Sequence, residues 1–394
     1  MSAVEPVPIL RGVTASNDVH GSCEPEFEPL RELFAERLAD GTEAGASLAV
    51  VRDGELVADL WGGEARPGEP WQEDSIVQVW SVTKTMAALT TLVLVDRGVI
   101  DLDAPVASYW PEFARDDVLV RHLLSHTSGY AGWTDPLDVE GLLDLERSEA
   151  MIAAQEPWWE PGTASGYHMI SYGHLLDGLV RGATGHPLAE VFRSQVAVPL
   201  GSDFQLGVSE DALSRCADLI GPGGRLDVSA LPEGNMLIRT LANPILDIDG
   251  FCNSAPWRRV PIAGANGHGN ARSIALAQAV VSHGGEINGV RLLSPATIDR
   301  IFEVQADGNE VVLPTPVTWG IGYALSSPTA AGDLPASSRR CWWTGYGGAI
   351  VVNDLDRRTT FAYAMNRMVP HLTSSPRTDA YVTTAYRCLE EATA

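Results

Sequence analysis

Trp80-Ser81-Val82-Thr83-Lys84 is the stretch that orients the chain. Its lysine stands alone: removing it from the 27 Lys and Arg residues leaves 26 arginines. Arg keeps its proton inside a protein, whereas Lys gives it up once desolvated. Positions three apart share a helix face, so the amine of Lys84 can lie beside the hydroxyl of Ser81. Ser-x-x-Lys is one way to make a serine nucleophilic. Two plainer explanations compete. A GC-rich genome favours Arg codons, and Ser-x-x-Lys arises often by chance, so the rest of the chain must decide.

Working outward, Ile76 to Trp80 reads as a short strand-like run leading into an apolar helix, Val82 to Asp96, which Gly98 stops. Ser81 is thereby expected at a helix N-terminus, where backbone N–H groups lack partners and negative charge is favoured. Upstream, residues 1–24 read as an irregular leader, and Phe27, Leu30, Leu33, Phe34 and Leu38 recur at helical spacing. Gly45 to Arg52 and Glu55 to Trp61 read as strands joined by the hairpin signal Asp53-Gly54.

Downstream, helices are expected over Asp138–Gln155, Ser171–Arg181, Ala189–Val198, Ala271–His283 and Pro295–Val304. Gly201 to Asn266 reads as long irregular loops near the site. Strands follow at Trp319–Ser326, Cys341–Thr344, Ala349–Asn353 and Thr359–Met365, with a turn at Asp354–Arg357, and an amphipathic helix over Thr378–Glu391. The pattern predicts one sheet built from both chain ends. Residues 25–80 and 290–394 would form an α/β region, and 81–289 a mainly helical region carrying active-site loops.

Composition narrows the function. With 45% apolar and 20% charged residues among 394, the chain has an ordinary globular make-up. A net charge of −24 repels nucleic acid and anionic membranes, so neither is an expected partner. The five cysteines form no CxxC pair, and their odd number forbids complete intrachain pairing. Free buried thiols in a reducing compartment are expected. Met1 to Gly21 shows no basic and apolar signal pattern, and no apolar run reaches membrane-spanning length, so a cytoplasmic location is expected. The chain lacks HExxH, clustered Cys and His, GxxxxGK[ST] and GxSxG. No metal or other cofactor is expected, and an α/β-hydrolase elbow is disfavoured.

Three further stretches could converge on Ser81. Tyr167 follows Glu160-Pro161-Gly162-Thr163 and precedes a helix, so its phenol could act as base or proton relay, although an interior aromatic would look the same. Cys341-Trp342-Trp343-Thr344-Gly345-Tyr346-Gly347-Gly348 reads as a strand edge followed by glycines, which suits an oxyanion hole or a plain hairpin corner. In Leu123-Leu124-Ser125-His126-Thr127-Ser128-Gly129, His126 fits support of its loop by hydrogen bonding better than a catalytic base. Gly267-His268-Gly269-Asn270 reads as a loop leading into the helix that follows.

Taken together, these stretches resemble the serine β-lactamase-like proteins, which include class C β-lactamases, DD-peptidases and family VIII carboxylesterases. The resemblance runs from about Gly45 to Met368. It rests on Ser81-Val82-Thr83-Lys84, Gly98-Val99-Ile100-Asp101-Leu102-Asp103, Leu124-Ser125-His126-Thr127-Ser128-Gly129, Pro161-Gly162-Thr163 with Tyr167, and Thr344-Gly345. It implies an α/β sandwich, an antiparallel sheet flanked by helices with an all-helical region beside it. It also implies that Ser81 is the acyl-accepting nucleophile and that Lys84 and Tyr167 share proton transfer. The backbone N–H groups of Ser81 and Tyr346 would form the oxyanion hole.

Two departures bear on the substrate. Where the family has Tyr-x-Asn this chain has Tyr167-His168-Met169, and where it has Lys-Thr-Gly this chain has Trp343-Thr344-Gly345. An amide and a cation have given way to apolar groups, which favours a neutral, hydrophobic acyl donor over a β-lactam or D-peptide. Met169, His168, Trp343, Gly345, Trp158 and Trp159 would bind that small-molecule ester, though tryptophans also fill cores. The expected activity is ester hydrolysis through an acyl-enzyme. Acyl or amide transfer by the same intermediate is the alternative, and a non-catalytic binding member of the fold is a third.

Overall fold

Strand Thr359–Met365 shows why the sheet forms where it does. Every residue in it is buried. Successive side chains on a strand point to opposite faces, and here both faces are covered. Thr360 Oγ1 meets Ser282 Oγ at 2.8 Å on one face. The Tyr363 ring packs on Tyr381 at 4.9 Å on the other. The computed structural model describes residues 18–223, 231–232, 234–247, 250–326 and 337–391.

The main sheet runs through β1 (Val19–Cys23), β2 (Gly45–Arg52), β3 (Glu55–Arg66), β4 (Ala324–Leu325), β5 (Arg340–Thr344), β6 (Ile350–Asp354) and β7 (Thr359–Met365). Their spatial order is β1-β3-β2-β7-β6-β5-β4, with Glu69–Pro70 paired to β3 off this path. All these pairings are antiparallel. The first and last thirds of the chain therefore meet at the sheet centre, where Leu48 stands opposite Tyr363. Helices α1 (Glu28–Ala39) and α5 (Pro376–Glu391) cover one face. α2 (Thr83–Asp96) and α3 (Ser171–Thr184) pack together in the helical region, and α4 (Ala271–Ser282) lies on the other face of the sheet. This is the antiparallel sheet flanked by helices that the sequence implied.

Several expectations are corrected. The leader is not irregular throughout: Val19–Cys23 is an edge strand on β3, and residues 1–17 lie outside the described residues. α4 does not belong with the helical region to which its position in the chain assigned it. Its first N–H is held by Ser47 Oγ at 2.9 Å, and Gln278 bonds Asn353 at 3.2 Å, so it is a layer of the sandwich.

Asp138–Gln155 splits into Val139–Leu143 and Leu145–Ala154, because Asp144 leaves helical geometry and caps the second piece through Arg147 N at 3.1 Å. Asp138 caps the first in the same way. Of Trp319–Ser326 only Ala324–Leu325 is strand; Gly322, at φ 84°, turns the chain so that Trp319 pairs with both Ala306 and Ala324. The stretch Gly201–Asn266 contains short helices at Glu210–Arg215, Met236–Leu241 and Ala255–Arg259, the last two capped by Asn235 and Ser254. Residues 224–230, 233, 248 and 249 of it are outside the described set.

Four of the five cysteines are buried, and all five are free thiols. No described helix is long and apolar enough to cross a membrane.

Candidate active site

Ser81 lies in a 3₁₀ turn, Trp80–Val82, that runs directly into α2. The strand-like run before it shrinks to Val77–Gln78, paired with His268–Gly269. Trp80 adopts φ 46°, a left-handed conformation that L side chains rarely hold. Packing fixes it there: its ring meets Tyr346 at 5.9 Å and Trp257 at 6.4 Å. The serine is thus presented from a sharp turn held on both sides.

One helical turn on, Lys84 is buried, with 2% of its surface exposed. Its Nζ lies 3.0 Å from Ser81 Oγ and 2.7 Å from the carbonyl oxygens of both Met169 and Gly264. Burial drives the ammonium well below its ordinary pKa. A neutral amine has two N–H donors and one lone pair. The two carbonyls can accept only from N–H, so the lone pair is left for the Ser81 hydroxyl proton.

Tyr167 closes the other side. Its ring centre is 4.8 Å from Lys84 Nζ, and its hydroxyl accepts a 2.9 Å hydrogen bond from Trp343 Nε1. Burial pushes the phenol up from its ordinary pKa, while hydrogen bonds with Ser81 and Trp343 act the other way. The loop carrying Tyr167 is clamped by the 125–129 turn. Gly166 N donates to His126 O at 2.9 Å, Gly162 N to Thr127 O at 2.8 Å, and His168 N to His126 Nδ1 at 3.1 Å. His126 is therefore a support for the residue after Tyr167, as its sequence setting suggested.

His168, expected to bind substrate, instead points into the fold. It is fully buried, with Nδ1 at 2.6 Å from Gly166 O and Nε2 at 2.6 Å from Ser128 Oγ. A carbonyl can only accept, so Nδ1 carries the proton and Nε2 accepts from the serine. Met169 is placed at the site, but through its carbonyl on Lys84 as well as its side chain.

Gly345, expected at the substrate site, has a packing role there. A Cβ there would stand 2.2 Å from Val79 O and 3.3 Å from Trp80 Cβ. Its bare backbone lets the end of β5 close onto the Ser81 turn, which brings the Tyr346 backbone beside it. Trp343 and Tyr167 share a second apolar cluster with Trp319, Leu237, Val312 and Leu313, and Trp158 and Trp159 pack at its edge. Trp159 lies over Gly166 and donates to Ala164 O at 3.0 Å, whereas Trp158 stacks under Arg239 at 3.8 Å.

Sequence reasoning missed Trp319, whose ring stacks on Tyr167 at 6.1 Å and meets Trp343 at a tilt at 4.6 Å, because it read as an ordinary strand residue. It missed Gly264 as well, which acts through a carbonyl. Among the described residues no group of three or more His, Cys, Asp or Glu could hold a metal ion.

Comparison with known proteins places the chain in a family. The family model described as Beta-lactamase matches residues 30–384. The chain is 32% identical over 382 residues to the esterase/beta-lactamase LipL of Mycobacterium tuberculosis, covering 92% of this chain and 86% of that one. A family VIII carboxylesterase crystal structure superposes with a TM-score of 0.87 at 34% identity, over 94% of this chain and 100% of the other. A penicillin-binding protein homologue from Caulobacter crescentus does so with a TM-score of 0.87 at 33% identity, again over 94% and 100%. The span shared with the family model holds Ser81, Lys84, Tyr167 and the Trp343-Thr344-Gly345 strand, and the chain belongs to the beta-lactamase family.

Proposed function

We propose that the protein is a carboxylesterase that hydrolyses small-molecule esters of hydrophobic acyl groups through an acyl-enzyme on Ser81. The observation that carries this is the pairing of Ser81 at 3.0 Å with a buried Lys84, whose ammonium burial disfavours, beside an apolar, aromatic wall. The similar esterase/beta-lactamase and family VIII carboxylesterase support it.

Lys84 Nζ takes the Ser81 proton as Oγ attacks the ester carbonyl carbon. Tyr167, kept protonated by burial, serves as relay rather than base. The oxyanion is held by the backbone N–H groups of Ser81 and Tyr346, and losing one such donor costs about 3 kcal/mol. Collapse breaks the ester C–O bond, and the leaving alkoxide takes a proton from Lys84 by way of the Tyr167 hydroxyl. Water then attacks the acyl-enzyme, giving its proton to Lys84, and the carboxylic acid leaves as Ser81 regains a proton. An alcohol or amine in place of that water would make the same intermediate an acyl-transfer step.

At the wall, Trp343 stands where the resembled family has a lysine, so no cation meets a substrate carboxylate there. The test uses p-nitrophenyl esters of rising acyl length, with intact-mass detection of the adduct on Ser81 and the Ser81→Ala variant as control. Turnover that Ser81→Ala abolishes supports the proposal, and turnover unchanged by it refutes the mechanism. An adduct released only by added alcohol or amine assigns acyl transfer instead. Fast nitrocefin hydrolysis would overturn the argument from Trp343 and Met169.

A further inference from the structure

A cavity of about 280 Å³ opens beside the aromatic cluster, lined by Leu231, Asn235, Leu237 and the loop 309–316. Glu310 stands in that wall, 9% exposed. Its Oε2 accepts from Val312 N at 2.7 Å and from Leu313 N, so the carboxylate shapes the turn of the wall. Oε1 is buried without a hydrogen-bond partner among the described residues. One residue on, Val311 N donates to Ser165 O at 2.9 Å. The wall and the Tyr167 loop are thereby joined at Val311, inside the turn that the Glu310 carboxylate holds.

We propose that Glu310 is a positioning residue for Tyr167, its carboxylate holding the wall turn through which Val311 grips the loop that carries the phenol. The role in turnover rests on the ester-hydrolase proposal; the tie itself does not. The charged carboxylate accepts the Val312 and Leu313 N–H bonds more strongly than the neutral acid does. Protonation therefore loosens the tie.

Burial raises the Glu310 carboxyl to about 7, against the opposing N–H groups of Leu313, Val312 and Tyr167. The other titratable and charged groups nearby lie on the Tyr167 loop, on helix Met236–Leu241 and on its own loop. From the Tyr167 loop, the phenol is held protonated by burial, and behind it His126 and His168 are held neutral. From helix Met236–Leu241, Arg239 stacks on Trp158. On its own loop, Asp307 is engaged by the Thr318 hydroxyl at 2.6 Å. Lys84 shifts downward as well, so activity alone would mix two titrations.

The experiment has two arms. Intrinsic tryptophan fluorescence, which reads Trp319 and Trp343 around Tyr167, is titrated from pH 5.5 to 8.5 in the wild type, Ser81→Ala and Glu310→Gln. A transition near pH 7 is expected in the first two and absent in the third. Steady-state hydrolysis of a p-nitrophenyl ester is then followed over the same range. Glu310→Gln keeps an oxygen for the wall but cannot ionise, so kcat falls on the order of tenfold and the part of the acid limb due to Glu310 disappears.

A fluorescence transition that Glu310→Gln leaves in place, or an unaltered pH profile and kcat in that variant, overturns the proposal. If no ester is turned over at all, the ester-hydrolase proposal fails while the fluorescence arm still decides on Glu310.

Discussion

Trp343 donates its indole N–H to the Tyr167 hydroxyl at 2.9 Å, across 176 positions of sequence. Both groups are buried, so this bond orients the phenol where no water competes. Trp343→Phe keeps an aromatic ring in the cluster and removes only the donor. A neutral hydrogen bond contributes about 1 kcal/mol, so kcat/KM for a p-nitrophenyl ester should fall roughly five- to tenfold with little change in the urea midpoint. A loss of stability without a loss of rate would make the bond purely structural.

Lys84→Arg should abolish acylation. Arg cannot lose its proton in a protein, so no lone pair faces Ser81. Removal of a general base costs on the order of 10²–10⁴ in rate. In the wild type, kcat/KM should rise with pH as Lys84 deprotonates and reach its plateau well below the ordinary lysine pKa, since burial lowers it. A rate that still climbs at pH 10 would show the amine to be charged in the folded protein.

Gly345→Ala forces a methyl group to within 2.2 Å of the Val79 carbonyl oxygen. Backbone cannot swing aside as a side chain can, so the strand end must retreat from the Ser81 turn. Overpacking of this kind costs about 3 kcal/mol, and the Tyr346 N–H moves with it. Denaturation and kcat measured together should both fall, with KM changing less than kcat. Wild-type kcat in this variant would remove Gly345 from any part in closing the site.

Acid should destabilise the fold before it affects most carboxylates. Burial lowers His168 to about 3, His174 to about 4 and His268 to about 3. Each is neutral when folded and takes up a proton on unfolding below about pH 6.5, so the unfolded state binds more protons in that range. Stability therefore falls as pH drops from about 6.5 toward the folded values, by about 1.4 kcal/mol per pH unit for each histidine. Urea midpoints at pH 7.5, 6 and 5 measure the slope. His174→Gln should make it shallower, because His174 meets Trp133 and Leu142 O rather than the nucleophile. A slope unchanged in that variant would mean that His174 is protonated in the native state.

Ser81, Lys84 and Tyr167 were legible because they meet through their side chains and their local settings, a helix start and a turn before a helix, carry sequence signals. Met169 and Gly264 act on Lys84 through carbonyls, which every residue owns, so nothing in their side chains announces it. His168 could not be oriented from sequence. Its partner Ser128 sits 40 positions away, and that contact turns the ring inward. Glu310 lies in a stretch without periodicity, where a buried carboxylate looks like any surface acid. The strands near the centre of the sheet were plain from their apolar runs. Val19–Cys23 was not, because an edge strand with three exposed residues is defined by its partner rather than by its own pattern. Helical spacing located α4 but could not say what it packs against.

The pairing of Gly45–Arg52 with Thr359–Met365 sets an order of events on the ribosome. Some 300 residues must be synthesised after the early hairpin before its permanent neighbour exists. During that interval one of its edges offers unpaired N–H and C=O groups to any passing strand. Such distant pairings are slow to form and exposed to aggregation while they wait. Yield in a recombinant host should accordingly respond to holdase chaperones and lower temperature, and a nascent chain arrested before residue 359 should be far more protease-sensitive than the released protein.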